Sequence, residues 1–438
     1  MTARTRSAVA LSAALALTAA LALATEAGAR RQSGVRFSPP VKVTPPLGFG
    51  YEPTVVVDDF GNIFSTAHKE NWQLLLAPDT RSPLLTRSMS WMWTSVDNGR
   101  TWHDIPGLTA LSLEQREPGI EGDLVIDDAN HLYLVDTYLP DSTITRWTLT
   151  GRGLDGIQFD FTRPLIPSAN PVDDRPWVTA HGDSTVVYLG NDGTKFGDGG
   201  RYTVYPSYDG GMTFDPVGQV LPDSGWCRPA ADHTPGSQFV YVACTNDAGK
   251  LYVYVSDDDA RTFTRREIGT YTDHPRESWP TVEVAPDGSV WVLFNDGVPN
   301  TNPIRNRLRL FHSTDHGATW TDQDITPVPG LYDYAWLAVS RFRNDLLGMG
   351  VYYRPNTSEP WHVYGAIWRP GQVPTLVKAD PTPVSSAAFS RPPGDYLGSY
   401  FGPDHHLSVV WTRRVLTVGT AASLERDIYF ARARALLR

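Results

Sequence analysis

Two of the 438 residues are cysteine, five are methionine and five of the 38 basic residues are lysine. With so little cysteine the chain is no disulfide-built miniprotein, and without a C-x-x-C pair it has no zinc ribbon or thioredoxin-type redox motif. It has no Gly-rich phosphate loop, no H-E-x-x-H and no G-x-S-x-G elbow, which sets aside the commonest nucleotide, zinc-protease and serine-hydrolase signatures. His405 and His406 are adjacent, so on a strand they face opposite sides and make a poor metal pair. Positive charge is also scarce: 48 acidic residues outnumber the 38 basic ones, a net charge of −10, which excludes a polyanion-binding face of the nucleic-acid type. After residue 30 no apolar run is long enough to cross a bilayer.

What is present is equally directive. A composition 41% apolar and 11% aromatic carries a large core, and 37 Gly with 35 Pro mark many turns, so the chain reads as all-β. Its first 29 residues read as an export signal: Arg4 and Arg6, an apolar run from Val9 to Ala24, then Ala27-Gly28-Ala29 for cleavage. Cleavage removes Arg4, Arg6 and Glu26 and leaves the mature chain, 30–438, one charge more negative. We therefore expect a secreted, extracellular bacterial protein without membrane attachment, the arginine bias suiting a GC-rich genome. Cys227 and Cys244 lie symmetrically about the turn Thr234-Pro235-Gly236-Ser237, so a hairpin would set their sulfurs opposite one another. In an oxidising compartment that predicts a disulfide.

Four segments share the pattern S-x-D-x-G-x-T-W/F: SVDNGRTW (95–102), SYDGGMTF (207–214), SDDDARTF (256–263, with Ala260 replacing Gly) and STDHGATW (313–320). Each has the chemistry of a self-capping turn, in which an Asp carboxylate accepts backbone N–H groups, Gly supplies a positive φ and the aromatic covers the turn. A second repeat runs alongside. Inner-strand starts fall near Glu52, Glu121, Arg175, Arg228, Trp279, Tyr334 and Asp395, spaced 51 to 69 residues apart, as suits four-stranded blades.

The four segments resemble the Asp box of the sialidase-like β-propellers, also called BNR repeats. That resemblance implies one propeller domain. Seven starts predict seven blades, with six as the alternative, and the last blade is closed by the N-terminal VRFSPPVKVTPP strand. It places the Asp boxes on the lower face, with Asp97, Asp209, Asp258 and Asp315 as structural turn caps. The strand starts then converge on the upper mouth of the channel. Around them stand the second-to-third-strand loops, among them His68-Lys69-Glu70, Asn191-Asp192, Asn246-Asp247, Asn295-Asp296, Arg354 and Arg413-Arg414. Sialidases bind the sugar carboxylate with an arginine cluster and attack with a tyrosine activated by a glutamate, an aspartate serving as acid. On that template the catalytic candidates are Glu52, Glu121, Asp123 and Tyr334, with Tyr396 as an alternative nucleophile. The substrate-binding candidates are Arg175, Arg228, Trp279, Arg276 and Asp395. Where the family's first arginine opens an R-I-P motif, this chain has Tyr51-Glu52-Pro53. The implied function is thus a sialidase-like glycoside hydrolase acting on extracellular carbohydrate, as a monomer without a cofactor or metal, rather than a strict exo-sialidase. The alternatives are a polysaccharide lyase on the same scaffold and a non-enzymatic glycan- or protein-binding propeller.

Overall fold

The computed structural model describes residues 34–44, 50–69, 90–108, 121–138, 141–165, 175–191, 202–246, 248–271, 279–297, 307–414 and 426–435. Residues 1–29, read above as an export signal, lie outside them. Seven antiparallel sheets are arranged as the blades of a propeller, six of them built of four successive strands and the seventh of strands from both ends of the chain. Their inner strands are Gly50–Val57, Glu121–Ile126, Trp177–His181, Cys227–Ala231, Thr281–Val284, Leu331–Val339 and Gly398–Phe401, which number blades 1 to 7. No helix among the described residues is long and apolar enough to cross a membrane.

Blade 7 closes the ring. It takes three strands from the C-terminal part of the chain and its outermost from Val35–Phe37, paired Val35↔Ala435 to Phe37↔Ala433. Val41 and Lys42 continue along the same partner, opposite Phe430 and Tyr429. Closure leaves no blade with a missing edge. Blade 4 carries the only two cysteines, directly opposed at Cys227↔Cys244 and joined as a disulfide.

The four Ser-x-Asp turns join the third and fourth strands of blades 1, 3, 4 and 5 and repeat one hydrogen-bond scheme. In blade 5, Ser313 Oγ donates to Asp315 Oδ1 (2.8 Å), which also accepts the Thr319 amide (2.8 Å), while Thr319 Oγ1 donates to Oδ2 (2.6 Å). Ser313 Oγ in turn accepts the Gly317 amide. Asp97, Asp209 and Asp258 accept the same bonds from Thr101, Thr213 and Thr262. These donors hold Asp315 down at about 2 and lower the other three despite the opposing pull of burial. The glycine position is left-handed in every copy (φ 80°, 79° and 81° at Gly99, Gly211 and Gly317), and Ala260 adopts the same conformation at φ 63°.

Candidate functional site at the upper mouth

Alternation along a strand divides the channel wall into tiers. The last paired residues of the inner strands are Val57, Ile126, His181, Ala231, Val284, Val339 and Phe401. Five residues before them stand Glu52, Glu121, Pro176, Trp226, Trp279, Tyr334 and Tyr396, the upper tier, and Arg175 and Asp395 immediately precede two of these. Three residues before them stand Thr54, Asp123, Val178, Arg228, Thr281, Trp336 and Gly398, and one residue before them Glu283 and Tyr400. Arg175 and Arg228, equivalent by their Arg-Pro motifs, therefore occupy different levels.

Backbone shape aims the upper tier. Glu52, Arg175 and Tyr334 all adopt left-handed backbone (φ 55°, 60° and 48°), a conformation that costs a non-glycine residue energy and gathers at functional sites. Glu52 and Tyr334 also lie inside bulges of their strands, between Tyr51 and Thr54 and between Asp333 and Trp336.

These residues form one connected network. Arg175 Nη2 donates to Asp395 Oδ2 at 2.5 Å, and Tyr334 Oη donates to Asp395 Oδ1 at 3.3 Å. The Asp395 amide donates to Glu52 Oε1 (2.9 Å) and the Arg175 amide to Glu121 Oε2 (2.6 Å). Tyr396 Oη donates to Glu121 Oε1 (3.1 Å). His68 Nε2, from the end of blade 1's second strand, lies 3.2 Å from Glu52 Oε2 and 3.3 Å from Glu121 Oε1. Burial, reinforced by Asp395 and Glu121, pushes the Glu52 carboxyl well above its usual range, and burial beside Glu121 raises the Tyr396 phenol likewise. Asp395 is the most open carboxylate of the group, its side chain 26% exposed against 7% for Glu52 and 3% for Glu121.

An aromatic cluster spans the upper tier and the one below it. Trp177, Trp279, Trp336 and Tyr396 are buried with ring centroids 5.3–6.2 Å apart. Trp226 packs on Trp279 at 5.0 Å. The Arg175 guanidinium lies 4.6 Å from the Trp279 ring. Arg228 stacks on Trp177 (4.4 Å) and Trp336 (4.1 Å), and its nearest carboxylate oxygen is that of Asp123, 3.5 Å away. Arg228 and Asp123 line a cavity of about 60 Å³ in the channel with Glu283, Arg341 and His233. Burial raises Glu283 to about 7 against the opposing pull of Arg228 and Arg341. At its lower end Asp128 Oδ1 is 2.7 Å from both His233 Nδ1 and Arg341 Nη2. Burial and then Arg341 push His233 down to about 4.

Of the candidates, Glu52, Glu121, Tyr334, Arg175, Trp279 and Asp395 thus meet at the upper mouth. Asp123 and Arg228 stand together one tier deeper, and Arg276 lies outside the described residues. The loop arginines bind locally: Arg413 pairs with Asp380 (2.5 Å) and lies over Tyr429, Arg414 lies over Phe389, and Arg354 donates to the carbonyls of Thr357, Phe389 and Ser390. The tryptophans at 177, 226 and 336 escaped the sequence reading because they flank the strand starts in the repeat rather than occupying them.

No protein-family model matches the chain, and no curated protein is similar to it in sequence. Solved structures similar in shape include a protein of unknown function from Dyadobacter fermentans, 14% identical, with TM-score 0.50, covering 92% of this chain and 99% of that one. NanB sialidase from Streptococcus pneumoniae is 10% identical, with TM-score 0.45, covering 88% and 68% of the two chains. An α-L-arabinofuranosidase from Fusarium graminearum is 12% identical, with TM-score 0.44, covering 91% and 98%. At 14% identity the Dyadobacter likeness speaks for fold alone, and the sheet order makes the chain a seven-bladed β-propeller.

Proposed function

We propose that this chain is an exported glycoside hydrolase of the sialidase-like Asp-box type, acting on extracellular glycans at its upper mouth. The observation that carries the reading is the chain Tyr334–Asp395–Arg175: a hydroxyl in hydrogen-bond reach of a carboxylate whose other oxygen is held by a guanidinium. That is the arrangement of nucleophile, base and orienting group from which covalent catalysis is built. In the proposed step Tyr334 Oη attacks the anomeric carbon and passes its proton to Asp395. As the glycosidic C–O bond breaks, Asp395 hands that proton, through water at the mouth, to the departing oxygen and is again a carboxylate. Water then attacks the glycosyl–tyrosine, Asp395 accepts its proton, and that proton returns to Tyr334.

The substrate follows from the arginines. Arg228 is stacked on Trp177 and Trp336 and Arg175 is paired with Asp395, so these two guanidiniums do not form a fork for one ligand carboxylate. Neutral glycans are therefore the first substrates to test. The four Ser-x-Asp turns support the family placement and have no part in the chemistry. The test incubates the purified mature chain with neutral glycans, sialosides and uronate polysaccharides, reading reducing ends and ultraviolet absorbance together. Reducing ends without absorbance are expected. Both signals together would make it a lyase, and silence in folded protein would make it a binding propeller.

A further inference from the structure

Behind the Tyr334–Asp395–Arg175 chain, Glu52, His68 and Glu121 bring one oxygen or nitrogen each to within 4.8 Å of one another, all three buried. Nothing in the proposed hydrolysis uses this trio. A single imidazole nitrogen faces two carboxylate oxygens at almost equal distances, 3.2 and 3.3 Å. One N–H could serve both only as a shared bond, longer and weaker than a charge-assisted N–H···O bond of about 2.7–2.9 Å. Two donors bound to one zinc-sized ion at about 2.0–2.2 Å, by contrast, stand roughly 3.0–3.5 Å apart, the edge of a tetrahedron or octahedron.

The surroundings fit ligands rather than a free acid pair. Each glutamate turns one oxygen toward His68 and anchors the other on a backbone amide, Glu52 Oε1 on Asp395 and Glu121 Oε2 on Arg175. The Tyr396 hydroxyl adds a bond to the Glu121 oxygen that faces His68. Such outer partners orient metal ligands and are their usual accompaniment. Two carboxylates at close quarters in a buried pocket also call for positive charge; Arg175, directed to Asp395, acts on Glu52 as well, and a divalent ion would add to it.

We propose that Glu52, His68 and Glu121 bind one divalent first-row transition ion, of the zinc class, at the upper mouth. Two oxygens and an imidazole suit such an ion better than Ca²⁺, which takes 6–8 oxygens. The ion joins blades 1 and 2 and, through the Asp395 and Arg175 amides, fixes blades 7 and 3 around it. Its role is to position residues; it takes no place in the chemistry proposed above and stands or falls separately from it.

The test reads metal and stability, not turnover. The full mature chain, purified without chelator or affinity metal, is assayed for metal content; it is then stripped with EDTA and titrated with Zn²⁺ and Mn²⁺ while its melting temperature is followed. We expect about one equivalent of ion per chain, and a rise of a few degrees on adding Zn²⁺ to stripped protein. Glu121→Gln, which keeps the side chain's shape, should lose both. A stripped wild type that neither retakes Zn²⁺ nor shifts its melting temperature would overturn the proposal, as would a Glu121→Gln protein that binds Zn²⁺ as the wild type does. Should Glu121→Gln fail to fold, the wild-type titration decides alone.

Discussion

The two faces of this propeller use aspartate in opposite ways. On the lower face Asp97, Asp209, Asp258 and Asp315 sit in open turns, each satisfied by its own Ser and Thr neighbours within a few residues. The scheme needs nothing from the rest of the fold, so it recurs in four blades. On the upper face Asp395 is held by Arg175 and Tyr334, from positions 220 and 61 residues away, and among the described residues no other blade repeats it. Local satisfaction makes a turn, and long-range satisfaction gathers a site. Repetition marks the first and departure from repetition the second.

Substitutions should separate the two faces. The largest effect belongs to Tyr334→Phe and Asp395→Asn, each of which should lower kcat on the glycan that proves to be the substrate by about 10²–10⁴-fold while the melting curve stays near wild type. An unfolded Asp395→Asn protein would instead mark the network as structural. Next, replacing Cys227 and Cys244 with Ser frees a 17-residue separation and should cost about 3 kcal/mol, read by denaturant unfolding. Glu283→Gln tests the channel below. Asp123, Arg228 and Arg341 face this carboxyl, and burial raises it to about 7 from 4.5. A raised acid pKa adds stability that is fully present below pH 4.5 and is lost as the pH climbs through 7. Glu283→Gln should accordingly gain roughly 1–3 kcal/mol on wild type at pH 8.5 and nothing at pH 4. An equal difference at both pH values would contradict the assignment. Smallest of all, Asp258→Ala removes one of four equivalent turn caps and should lower the melting temperature by about 1–3 °C with turnover unchanged.

Much of the architecture was legible because it repeats. The inner-strand starts marked seven blades, and the symmetry of Cys227 and Cys244 about residues 235 and 236 set their register, now seen as a direct pair. The site was harder to read for the same reason. Aligning Arg175 with Arg228 by their shared Arg-Pro motif misplaced one of them: counted from the ends of their strands, Arg228 is the counterpart of Val178, and Trp226 is the residue that reaches the mouth. Asp123 was carried down with Arg228 into the channel. Nor does a motif announce the left-handed backbone at Glu52, Arg175 and Tyr334, which depends on bulges and on partners hundreds of residues away. His68 was visible only as a loop residue, since its two glutamates come together only when blades 1 and 2 pack.

Chemistry at the upper mouth and capping in the lower turns respond differently to substitution. The most direct measurement sets wild type, Asp395→Asn and Asp258→Ala side by side on the glycan panel, with folding checked for each. Wild type and Asp258→Ala should release reducing ends at similar rates, and Asp395→Asn none above background. Equal turnover by all three, or its loss only in folded Asp258→Ala, would contradict this division of roles.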